Sequence, residues 1–139
     1  MKNEEVRMKN GGQKMVGSRG DDLKVRTKQF SLRIIRLCEA LPAKAAGRVI
    51  SSQLLRSATS VGANYRSAFR ARSQSEFVAK IGIVLEEADE TVYWLELIVE
   101  SGLLPQKKLD SLLAEANELV AIFAASKLTA SGKRDNPGA

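Results

Sequence analysis

The sequence predicts an all-α protein, an antiparallel up-down-up-down four-helix bundle. Three observations lead there. Apolar residues recur at helical spacing through four successive segments. No segment alternates apolar and polar residues as a half-buried strand does. Punctuation is sparse, with no Pro between Pro42 and Pro105, so the segments are long and their connections short. Long amphipathic helices on short connections pack antiparallel to their neighbours.

The first helix is expected from about Asp22 to Ala40. Leu23, Phe30, Ile34, Leu37 and Leu41 share one face, and Asp21 or Asp22 is placed to cap it. The second is expected from about Ala43 to Arg72, with Ile50, Leu54, Ser57, Val61 and Ala68 inward. The third begins near Ser75 as N-cap, with Glu76 in the first turn where the helix dipole favours an anion. Its stripe is Phe77, Ile81, Val84, Leu85, Ala88, Val92, Leu95 and Val99, and Gly102 is placed to end it. The fourth opens at Pro105, carries Leu109, Leu112, Leu113, Ala116, Leu119, Val120 and Phe123, and fades by Leu128. The second and third look longest, which predicts a central hairpin.

This body, residues 21–128, is one domain. Residues 1–20 and 129–139 are rich in Gly, Ser, Asn and Lys and hold little to bury, so they are expected as disordered tails, the first of them basic. The 139 residues carry 22 Lys+Arg against 16 Asp+Glu, a net charge of +6. Most of that excess lies in the tails, which leaves the body near neutral. The chain has no His and one Cys, Cys38. That excludes a Ser-His-Asp triad, a Cys-His pair and the usual zinc ligands, so no enzyme, cofactor or metal centre is expected. A single Cys suits a reducing, cytoplasmic setting. No apolar run approaches the length of a membrane span, and the start lacks the apolar core of a signal peptide.

The second helix is unusual in its charge. From Ala43 to Ser75 there are six Lys/Arg and no acid. At about 100° per residue, with Arg48 at zero, Arg66 falls at ~0°, Arg70 at ~40° and Arg56 at ~80°, while the core set spans ~180–240°. Arg48, Arg56, Arg66 and Arg70 therefore form an outward stripe. Two uses compete for it. The arginines pair with the acidic third helix, where Glu76, Glu86, Glu87, Asp89, Glu90, Glu96 and Glu100 face a single Lys80. Or they hold phosphates, for which the planar guanidinium fork is suited. Tyr65 and Phe69 lie towards the core edge, so the stripe lacks exposed aromatics that would stack on bases.

The third helix also has a second apolar face. Ile83, Trp94 and Leu97 lie away from its core stripe, beside Glu87 and Glu90. A Trp among apolar residues ringed by acids reads as a contact surface for another subunit. Small residues of the second helix, Ser57, Ser60, Gly62 and Asn64, read as places of close helix approach, with Ser and Asn bonding across to another helix.

Two segments in order, "LLRSATSVGANYRSAFRARSQSEF" and "KIGIVLEEADETVYWLEL", resemble the four-helix-bundle family that includes the 23S rRNA intervening-sequence proteins. The resemblance runs from about Phe30 to Leu128. It is sharpest at Arg56-Ser57, Ser60, Asn64, Arg66 to Ser73, Phe77, Glu87-Ala88 and Trp94-Leu95. It implies a bacterial, cytoplasmic, non-enzymatic protein that assembles as a homopentamer. A related group, the accessory variability proteins of diversity-generating retroelements, implies RNA or DNA binding through a basic surface. A closed ring needs two different patches per subunit, and a basic second helix with a Trp-bearing third helix would supply them. Arginines spent on that contact could not all bind RNA. The function expected is nucleic-acid binding by an oligomer. The alternative is an oligomeric scaffold that docks a protein partner.

Overall fold

The structure, a computed structural model, describes residues 12–132. Four helices account for almost all of it: α1 Gly12–Ala40, α2 Ala45–Phe69, α3 Gln74–Ser101 and α4 Asp110–Ser131. A single 3₁₀ turn, Gln106–Lys108, leads into α4. No strand occurs among the described residues. Each helix packs on its successor in the chain, and α1 and α4 touch more lightly.

The ends of the helices follow local chemistry. α3 is capped by Ser73, not Ser75: its hydroxyl accepts from the Glu76 amide at 3.1 Å. The Glu76 carboxylate reaches back to the Arg72 amide at 3.0 Å, a near relative of the capping box. Ser75 therefore lies inside the first turn. At the other end Gly102 takes the left-handed conformation, φ 77°. The Gly102 amide donates to Val99 O and the Leu103 amide to Ile98 O, the two bonds of a Schellman ending. α2 stops at Phe69, three residues short of Arg72, and Arg70 is its C-cap. α4 begins at Asp110 because Pro105 is extended and the 3₁₀ turn intervenes.

α1 starts at Gly12, ten residues ahead of Asp22, so neither Asp21 nor Asp22 caps it. Of the two expected tails, residues 1–11 and 133–139 lie outside the described residues. Residues 12–20 belong to α1, and residues 129–131 complete α4.

The core is the set of inward stripes. Phe30, Ile34, Leu54, Val61, Ile81, Val84, Leu95, Leu109, Leu119 and Phe123 are almost wholly buried. Ile98 and Thr91 are buried as well, beside the stripe expected of α3. The polar residues inside are satisfied: among the described residues no buried side-chain N or O lacks a hydrogen-bond partner. Ser57 and Thr91 supply the one buried polar contact between α2 and α3, their hydroxyls 2.9 Å apart. Ser57 donates to Leu54 O, and Thr91 is also 2.8 Å from Glu87 O. The expectation that Ser60 and Asn64 bond across helices is not met. Asn64 Nδ2 donates to Ser60 O and Oγ within α2, at 2.9 and 2.8 Å.

Tyr65 closes one end of the core. It is buried, packs between Phe123 and Phe69, and donates to Gly20 O at 3.3 Å. Burial, helped by the negative charge of Asp21, pushes its phenol up to about 12. The unfolded phenol ionises near pH ~10. A raised pKa means that the contribution of Tyr65 is complete below that value and is lost as pH rises through the folded one. Thermal melts are therefore expected to be steady up to about pH 10 and to fall from there towards pH 12. In Tyr65→Phe that alkaline fall should be shallower. An identical fall in both proteins would assign it elsewhere.

Candidate nucleic-acid interface

The exposed side of α2 carries the arginines, since its inner side is fixed by Leu54, Ser57, Ala58, Val61, Tyr65 and Ala68. Arg48, Arg56, Arg66 and Arg70 are all exposed. They do not act as one group. Arg48 folds back one turn and its Nη1 donates to Ala43 O at 2.8 Å. Arg70 sits beyond the last turn, at the C-cap, where a cation suits the helix dipole. Arg66 borders a cleft between α1 and α2. Among the described residues, none of these three pairs with an acid.

Arg56 does. Its Nη1 lies 3.2 Å from Glu87 Oε1, and its Nη2 bonds Glu90 Oε2. Trp94 Nε1 donates to the same Glu90 oxygen at 2.9 Å. Four of the residues singled out in the sequence, Arg56, Glu87, Glu90 and Trp94, thus form one network across α2 and α3. The indole bond first, and Arg56 second, hold the Glu90 carboxyl below its usual range. Arg56, bonded chiefly by Glu90, is held more firmly protonated. The pair is largely exposed, which limits its value to about 0–1 kcal/mol. Ile83 and Leu97 extend the same α3 face, at i−4 from Glu87 and i+3 from Trp94. Ile83 is exposed and Leu97 half-buried. No hydrogen bond or ring contact ties either of them to the network.

Sequence reasoning missed three features of this surface. Tyr93 is 54% exposed and packs edge-on against Trp94, with ring centroids 5.1 Å apart. Arg26 of α1 makes a bidentate bond to Glu115 of α4, at 2.7 and 2.8 Å, and reaches Glu118 as well. These bonds raise its pKa, Glu115 foremost. Lys24 and Lys28 join Arg66 at the α1/α2 cleft. The signal for the last was legible as two cations four residues apart on α1, but not the neighbour they would meet.

No helix among the described residues is long and apolar enough to cross a membrane. No curated protein sequence matches the chain. Among solved structures it is similar to a protein from Bacteroides thetaiotaomicron, described as of unknown function and from the S23 ribosomal protein family. The two are 35% identical with a TM-score of 0.70, over 75% of this chain and 96% of that one. The family model for the 23S rRNA-intervening sequence protein matches residues 22–125, nearly the whole bundle. The chain belongs to the 23S rRNA-intervening sequence protein family.

Proposed function

We propose that this chain is a non-enzymatic, homo-oligomeric bundle protein of the bacterial cytoplasm that binds RNA through the outer side of α2. We further read the bundle as up-down-up-down and antiparallel, and the oligomer as a pentamer. Short connections between long helices that pack on their successors support the first. The family resemblance supports the second. The observation that carries the RNA reading is how little of α2 is neutralised. If the basic helix served only to pair with the acidic one, ion pairs would run along their contact. Arg56 alone makes them, while Arg48, Arg66 and Arg70 remain exposed with no acidic partner among the described residues. Arginines without acidic partners suit phosphate oxygens, Arg66 and Arg70 with the whole guanidinium fork and Arg48 with what its bond to Ala43 O leaves.

A second reading has its own support. Exposed Ile83 and Tyr93 flank the Trp94 network, a patch suited to a neighbouring subunit or a protein partner. One experiment separates the two readings: solution mass by light scattering, with and without a structured RNA, at low and high salt. The RNA reading expects a ring-sized mass that gains RNA at low salt and sheds it at high salt. Arg66→Glu/Arg70→Glu should lower affinity at least tenfold and reduce the salt slope by about 0.7–0.9 for each phosphate the variant no longer holds. The same ring with no RNA at any salt would reject that reading and leave the scaffold.

A further inference from the structure

α1 and α2 border an open cleft of about 200 Å³ whose lining contains no acid. Lys24 and Lys28 come from α1, and Arg66 from α2. Gly62 lines it without a side chain, and a Cβ there would sit in ordinary contact with Thr27 Oγ1, 3.4 Å away. The hydroxyls of Thr27, Ser31 and Thr59 line the same cleft. Their protons are directed at helix carbonyls, Leu23 O, Thr27 O and Leu55 O. They therefore keep the cleft polar without being its donors.

The donors are the three cations. Lys24 shares its charge with Asp21, 3.5 Å away, and lies over the Phe69 ring at 4.4 Å. Lys28 and Arg66 have no partner among the described residues. Positive charges gathered around one polar hollow repel one another, and an anion seated there would relieve that repulsion. Size limits the anion. The cleft is smaller than the ~300–1,000 Å³ of pockets that enclose drug-sized ligands, and its polar, cationic lining suits a small anion. A tetrahedral oxyanion is such an anion, with the Arg66 fork and the lysine ammonium groups as its donors.

We infer that the α1/α2 cleft is a phosphate-binding site formed by Lys24, Lys28 and Arg66. For its physiological ligand this rests on the RNA reading, and it fixes where one phosphate of the strand would be held. The same chemistry would accept a free phosphate, and the test separates the sources. The full chain is titrated with inorganic phosphate at constant ionic strength, and amide shifts are followed by two-dimensional NMR. Saturating shifts are expected at Thr27, Lys28, Gly62 and Ala63, and Lys28→Ala should weaken them at least tenfold while circular dichroism stays unchanged. A single-stranded RNA oligonucleotide is then added. Shifts of the same amides, reversed by phosphate, support the site with RNA as the source. Saturation by phosphate with no RNA bound keeps the site and removes RNA as its ligand. RNA binding that moves other amides, with no phosphate response at the cleft, overturns the site and leaves the RNA reading standing. An unchanged response in Lys28→Ala also overturns it.

Discussion

Phe123→Ala is expected to lower the free energy of unfolding by about 3–5 kcal/mol. The ring is wholly buried, in the second half of α4, and packs against Tyr65 of α2, with centroids 5.5 Å apart and planes tilted by 44°. Truncation loses the transfer energy of the ring and leaves a hole that the close-packed core fills only in part. It also removes one of the two rings that pack on Tyr65. Leu128, one turn further along and 42% exposed, sets the comparison: Leu128→Ala should stay within about 0.5 kcal/mol. Denaturant unfolding at one fixed protein concentration checks both, since an oligomer's stability depends on concentration. A cost under about 1 kcal/mol for Phe123→Ala would mean that α4 is not held by this contact.

The second large effect is a difference of sign between two glycines of one helix. Gly47→Ala should destabilise by about 1–3 kcal/mol, and Gly62→Ala should stabilise by about 0.5–1 kcal/mol. Both gain the same helix propensity. At Gly47 the new Cβ would lie 2.0 Å from the carbonyl oxygen of Pro42, a backbone atom of the connection from α1. That connection must move, and it is held by the Arg48 bond to Ala43 O and the Arg48 amide bond to Lys44 O. At Gly62 the nearest atom, Thr27 Oγ1 at 3.4 Å, is at ordinary contact distance. Paired unfolding curves decide it. Equal stabilisation by both would show that the α1–α2 connection yields freely.

The helices and their inward faces were legible from periodicity alone. Leu23, Phe30, Ile34 and Leu37 in α1, and Leu112, Ala116, Leu119 and Phe123 in α4, recur with the period of the helix, which needs no knowledge of neighbours. Gly102 was equally legible, because a left-handed residue at a helix end is almost always a glycine. Residues at a stripe's edge were less so. Ile98 and Thr91 are buried because α3 meets helices on two sides, and one helix's periodicity does not show how wide its covered face is. The start of α1 was hidden because Gly and Lys residues give no apolar period there.

For the candidate site, sequence placed the arginines of α2 opposite its core and the Trp94 face of α3 opposite its own. Which charges meet depends on how the helices pack. The rotation and register of packed helices come from interlocking side chains across the whole contact, and they bring Arg56, not Arg48 or Arg66, within reach of Glu87 and Glu90. The same packing brings Lys24, Lys28 and Arg66 to one cleft beside Gly62. Local pattern states which way a side chain points from its own helix; what it faces there is a property of two helices together.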